Sequence, residues 1–217
     1  MRPGPTIIVL LIWTLDSYCQ TTSDKAEILN EFQKTRSIPN IDSVFYDGYH
    51  FGARKNLDAL LSEKIDTLVV YSFDHPGHRL LTKSDSCKQI RNAYFFWQKD
   101  GDYFFRSNNE HCLSIDKIDN SKVLNFAVNN FPKIKDEFFM GAIFETEKQG
   151  DKIKITESWI DHEGKYSILV LVNGQYNYLE FTDNALTNKK SWFLDYNKAL
   201  TSFTLFELIK GEIKTGG

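Results

Sequence analysis

Before residue 66 the apolar positions recur at helical spacing. After it they mostly alternate or run together between short turns, the pattern of strands. Asp24 to Arg36 predicts a helix, opened by a capping box of Asp24 and Glu27, with Ile28, Leu29 and Phe32 on one stripe. Ser37-Ile38-Pro39 stops it, since the residue before proline is driven out of the helical region. Ala53 to Ile65 predicts a second helix, with Ala53, Leu57, Leu60, Leu61 and Ile65 on one face. Thr67 to Phe73 (TLVVYSF) predicts a strand.

Three hairpins are predicted further on. Ala93 to Gln98 and Tyr103 to Ser107 flank Asp100-Gly101, and Asp-Gly is a strong two-residue turn. Gly141 to Glu147 and Lys152 to Asp161 flank Gln149-Gly150, a register that sets Glu147 against Lys152 and Glu145 against Lys154 on a wet face. Lys165 to Val172 and Gln175 to Thr182 flank Asn173-Gly174, the clearest turn in the chain. The first and third hairpins are apolar on both faces, which predicts central strands covered on both sides. Lys122 to Val128 reads as a further strand. Thr201 to Ile209 fits strand or helix, and its Thr and Phe content favours strand. The expectation is an α+β fold: an antiparallel meander sheet, open or partly closed as a barrel, with two N-terminal helices.

The N-terminus changes the picture. One positive charge at Arg2, an apolar run from Thr6 to Leu15 and a polar stretch from Asp16 make the layout of a secretory signal. The run is too short for a bilayer core, which takes about 20 residues, so no transmembrane span is expected in the mature chain. Ser17-Tyr18-Cys19 places cleavage after Cys19, leaving residues 20–217 as one domain, periplasmic or extracellular. The rival is an outer-membrane lipoprotein acylated on Cys19, but Tyr18 stands where a lipobox wants a small residue.

Export gives the two remaining cysteines a meaning. Cys87 and Cys112 read as a structural disulfide, lying one diagonal step off register at the open end of the first hairpin if its strands extend that far. Closing a loop of that length contributes about 3.5 kcal/mol in the chain-entropy model. No C-x-x-C spacing suggests redox chemistry.

Composition narrows the function classes. Of the 217 residues 41% are hydrophobic and 25% charged, the balance of a folded soluble chain rather than a disordered one. The net charge of −3 carries no basic excess for nucleic acid, and none is expected as a partner. Lys189-Lys190 beside Trp192 reads as a solvated turn.

Candidate chemistry is sparse. In Asp74-His75-Pro76-Gly77-His78-Arg79 a Pro-Gly turn brings His75 and His78 together, the start of a metal site that Asp74 would ligate or orient. Zinc needs at least three protein ligands, so His50, His111 or His162 would have to join them, and a zinc cofactor is the lesser reading. The same histidines could act as bases beside Ser72 or Ser84, but no nucleophile-elbow motif places either serine. Glu157 falls on the apolar face of the second hairpin, between Ile155 and Trp159, where desolvation would suit a general acid; no second carboxylate faces it. The rings Tyr94, Phe95, Phe96, Trp97, Tyr103, Phe104 and Phe105 serve a two-sided core, or stack on a sugar or line an apolar pocket. The residues therefore favour an exported, non-catalytic protein that binds a small apolar ligand or serves as an accessory envelope module with a protein partner. The alternative is an envelope hydrolase or metal-binding protein built on His75 and His78.

Overall fold

Residues 24–45, 51–63, 65–74, 92–109, 112–149, 152–157 and 163–215 are described by a computed structural model. In chain order they form α1 (residues 24–35), α2 (Phe51–Ser62), β1 (Thr67–Asp74), β2 (Asn92–Lys99), β3 (Asp102–Asn109), β4 (Cys112–Ile118) and α3 (Lys122–Ile134). Then follow β5 (Ile143–Gln149), β6 (Lys152–Glu157), β7 (Lys165–Val172), β8 (Gln175–Thr182), α4 (Asp183–Thr187), α5 (Leu194–Ala199) and α6 (Thr201–Thr215). The chain divides into two compact units: the residues up to Ser37 with Glu147–Lys154, and Ile38–Thr146 with Ile155–Gly217. In the first, α1 buries Ile28 and pairs Lys34 with Glu31 at 3.0 Å. The main sheet belongs to the second.

Turn chemistry sets that sheet's register. Asp100 and Gly101 have φ of 52° and 85°, and Asn173 and Gly174 have 50° and 77°. Positive φ at both central residues is the type I′ geometry, whose twist matches that of paired strands. Lys99 therefore faces Asp102, and Val172 faces Gln175, as the Asx-Gly positions predict. β1 pairs antiparallel with β2 on one side and β7 on the other, giving an open six-stranded sheet in the order β4-β3-β2-β1-β7-β8. The α+β class and the open antiparallel sheet match expectation.

Alternation puts two different cores on the two faces. Leu68, Val70, Phe95, Trp97, Leu169 and Leu171 pack with Leu57 and Leu60 of α2 and with Val44 and Phe45. On the opposite face Val69, Phe96, Ile168 and Val170 pack with Val123, Leu124, Ala127, Phe131 and Ile134 of α3 and with Leu205, Phe206 and Ile209 of α6. Covered on both faces, β1 is buried from Thr67 to Ser72, which is why it reads as a continuous apolar run.

Three expectations are corrected. Lys122 to Val128 is helix: Ser121 caps α3 by accepting Leu124 N–H at 3.2 Å, and Val123, Leu124, Ala127, Phe131 and Ile134 fall on one helical face. Thr201 to Ile209 is also helix, with Ser202, Leu205, Phe206 and Ile209 buried at helical spacing, so packing outweighs the strand preference of its Thr and Phe. The sheet is not one continuous meander, because β5 and β6 form a separate two-stranded sheet and β7 returns to lie beside β1. Side chains from residue 145 to residue 154 lie outside the described set, and with them the expected Glu–Lys pairs of that hairpin.

Helices α3 and α6 run antiparallel, and each caps the other. Glu137, just past α3, accepts from Thr201 N–H, Ser202 N–H and Ser202 Oγ at 2.8, 2.7 and 2.6 Å. Glu212, near the end of α6, accepts from Ser121 Oγ at 2.9 Å and Val123 N–H at 3.1 Å. Carboxylates are thus placed against both unsatisfied, positive helix N-termini. The buried Asn177 of β8 donates to the carbonyls of Ile134 and Glu137 at 2.6 and 3.0 Å, tying the C-terminal end of α3 to the sheet.

Candidate functional site

Cross-strand register collects aromatic rings on the face of the sheet that carries α6. Tyr71 of β1 faces Tyr94 of β2, Phe73 faces Tyr166 of β7, and Phe96 of β2 faces Phe105 of β3. The rings stand nearly parallel. Tyr71 lies 6.0 Å from Phe73, 6.1 Å from Tyr94 and 6.3 Å from Tyr166, at interplanar angles of 28°, 23° and 12°. Tyr94 and Phe105 continue the strip at 6.2 Å and 18°. Phe206 of α6 closes over it, 6.0 Å from Tyr71 and 5.3 Å from Tyr166. Tyr71 is 4% exposed, whereas Phe73, Tyr94, Phe105 and Tyr166 are only half-buried.

Carboxylates border these rings. Tyr166 donates its hydroxyl to Asp183 Oδ1 at 2.7 Å. Glu207 on α6 pairs with Lys210 at 3.0 Å, and the Lys210 ammonium sits 4.8 Å from the centre of the Phe206 ring. Burial raises the Tyr71 hydroxyl well above the usual tyrosine range, reinforced by Tyr166, Tyr94, Asp183 and Glu207. Burial also raises Tyr166, helped by its hydrogen bond to Asp183. Both phenols are therefore hydrogen-bond donors at any physiological pH.

The positions singled out in the sequence divide sharply. All five histidines, among them His75 and His78, lie outside the described residues, as do Cys87, Ser84 and the side chain of Glu157 at the end of β6. No group of three metal-ligating side chains occurs among the described residues. Ser72 is buried within β1. Cys112 does not continue β3: it opens β4, paired antiparallel with β3 and opposite Asn109. That removes the register argument for a bridge to Cys87, and no disulfide is present among the described residues. Lys189 and Lys190 sit exposed in the turn between α4 and α5. No helix among the described residues is long and apolar enough to cross a membrane.

The aromatic cluster was visible in the sequence, but not its division. Phe95 and Trp97 face α2, and Phe104 stacks on Trp97 at 5.3 Å, while Tyr94, Phe96 and Phe105 belong to the strip. Tyr71, Tyr166, Phe206 and Asp183 were not singled out. They come from β1, β7, α6 and α4, so only the pairing of β1 with β7 and the helical state of α6 unite them.

The opposite face holds one anomaly. Arg106 of β3, opposite Phe95, has its Nε shielded from water with no hydrogen-bond partner among the described residues, and burial lowers its pKa. An unpaired desolvated donor costs stability. Arg106→Met keeps the apolar stem, and urea unfolding should show a gain of about 1 kcal/mol. A loss of stability instead would mean that the guanidinium has a partner in the folded chain.

Set against protein-family models, curated proteins and solved structures, the chain matches none of them.

Proposed function

We propose that this protein is an exported, non-catalytic binding module whose ring strip holds a small ligand with apolar faces. The observation that carries this is the half-buried state of Phe73, Tyr94, Phe105 and Tyr166 around the buried Tyr71. These rings pack against the core cluster from its margin, and an aromatic margin of this kind is a surface on which an apolar guest can stack. The Lys210–Phe206 contact is the same surface engaging a cation of its own chain. Export rests on the layout of residues 1–19.

Titration with N-phenyl-1-naphthylamine, a neutral apolar fluorophore, tests the platform. Saturable one-to-one enhancement is expected, with affinity falling about tenfold in Tyr94→Ser, equivalent to about 1.4 kcal/mol. Far-UV circular dichroism checks that the variant is folded. Absence of saturable binding to the folded wild-type chain would end this reading. For the address, mass spectrometry of the native protein should find Gln20 as the first residue; retention of Met1 would overturn export.

A further inference from the structure

We infer that Asn173 is a site of spontaneous covalent modification. Its side-chain amide cyclises onto the main-chain nitrogen of Gly174, and the ring opens to aspartate and isoaspartate, while β7 and β8 stay paired. No ligand is involved, and the site is independent of the ring strip.

The reacting groups are at hand. Asn173 and Gly174 form the exposed tip of the β7–β8 hairpin. Asn173 N–H donates to the Asp66 carbonyl at 2.8 Å, which holds the residue's main chain in place. Its side-chain amide and the Gly174 N–H have no hydrogen-bond partner among the described residues. A Cβ built at Gly174 meets nothing within 4 Å, so no neighbouring group hinders the approach of that nitrogen.

The turn also has the right shape. Closing the five-membered imide makes the Gly174 nitrogen eclipse Cβ of Asn173, which at an L-residue means ψ of about −120°, the value at the first central residue of a type II′ turn. That turn also wants φ of about +60° at the same residue. Asn173 already has φ of 50°. Rotation of the one peptide plane between Asn173 and Gly174 therefore converts the type I′ turn into II′ and brings the reacting atoms together. Gly174, now at φ of 77°, moves to the mirror region, which glycine alone enters freely. Both turns join antiparallel strands in the same register, so the hairpin need not open. Asp100-Gly101 shares the geometry, with φ of 52° and 85°, but a carboxylate is a poorer electrophile than an amide, and closure there is slower.

In the first step the Gly174 nitrogen bonds to Asn173 Cγ, the Cγ–Nδ2 bond breaks, and the Gly174 proton leaves with Nδ2 as ammonia. Water then adds to one of the two imide carbonyls. Attack at Cγ breaks its new bond to nitrogen and gives aspartate. Attack at the main-chain carbonyl breaks the original peptide bond and gives isoaspartate, whose main chain runs through Cβ and Cγ. The two-residue turn sets every pair from Val172↔Gln175 to Lys165↔Thr182. Isoaspartate lengthens that turn by one atom and works against the register. β8 lies at the edge of the sheet beside β7, so the misfit falls on this pairing.

Ageing the full chain at mildly alkaline pH and mapping its peptides by mass spectrometry tests this, with a free peptide of residues 171–176 as the unfolded reference. The folded chain should lose the Asn173 amide at a rate within about tenfold of the peptide's, and faster than any other asparagine in the chain. A rate suppressed further than that would mean that the hairpin blocks closure, and would overturn the inference. The product should separate into two isomers of equal mass; aspartate alone would mean direct hydrolysis and exclude the cyclic route. Asn173→Gln, which cannot form the five-membered ring, should show no modification at that position over the same period, and an unchanged rate would also exclude the ring. Urea unfolding of the separated forms reads the effect on register. The isoaspartate form should unfold at lower urea than wild type, while Asn173→Asp, which carries the charge without the extra atom, should match wild type. An isoaspartate form as stable as Asn173→Asp would overturn the strain placed on the β7–β8 pairing.

Discussion

Replacing Asn197 with aspartate is expected to destabilise the fold by about 3 to 5 kcal/mol, the sum of several orphaned buried groups at roughly 1 to 3 kcal/mol each. Asn197 of α5 is fully buried. Its Oδ1 accepts from Met140 N–H at 2.9 Å, and its Nδ2 donates to the carbonyls of Met140 and Ala185 at 2.9 and 3.0 Å. One side-chain amide therefore serves three backbone groups from segments far apart in sequence. Aspartate keeps the acceptor but turns a second oxygen toward two carbonyls, and burial adds the cost of an unpaired charge. Urea unfolding measures the loss. A change below about 1 kcal/mol would mean that these backbone groups are satisfied elsewhere.

Phe96→Ala should cost about 3 to 5 kcal/mol, the range for emptying a phenylalanine site in a packed core. Phe96 is fully buried in β2, pairs in register with Val69 and Phe105, and touches the Phe105 ring at 5.0 Å. Its face packs beneath α3 and α6. Phe105 itself is half-buried, so Phe105→Ala should cost less than half as much, and the ratio of the two in urea checks the proposed division between core and platform. Equal losses would place Phe105 in the core and leave the strip without one of its open rings.

Local chemistry carried much of the fold. Asp100-Gly101 and Asn173-Gly174 could be read directly, because a type I′ turn demands positive φ at two adjacent residues and few pairs other than Asx-Gly accept it. With the turns known, register follows by counting, and the two-faced apolar pattern of β7 and β2 announced their central place. The failures share one cause. Val123, Leu124, Phe126 and Ala127 look as much like strand as helix over seven residues, and the Ser121 cap and the buried Phe131 and Ile134 decide it only over a longer window. Thr201 to Ile209 has strand-like residues and becomes helix because Glu137, distant in sequence, satisfies its N-terminal donors. Cys112 was misplaced for a similar reason, since Glu110-His111 carries no turn signature and the reversal into β4 is settled by pairing with Asn109.

The candidate site was less legible than the fold. Tyr94 and Phe105 stood out because they belong to one dense aromatic hairpin. Tyr71 and Tyr166 are isolated rings in aliphatic strands and gain meaning only as neighbours of each other.

The sequence by itself determined most of the antiparallel strands, though not β4, the registers of the two Asx-Gly hairpins, and the helices α1 and α2, because turns, caps and alternation act over a few residues. Only the tertiary structure decided that β1 lies between β2 and β7, that α3 and α6 are helices capping one another, and that Tyr71 stacks beside Tyr166, which in turn bonds Asp183. These depend on contacts between residues distant in the chain. Such contacts are chosen by which faces must be buried together, a requirement no short stretch of sequence expresses.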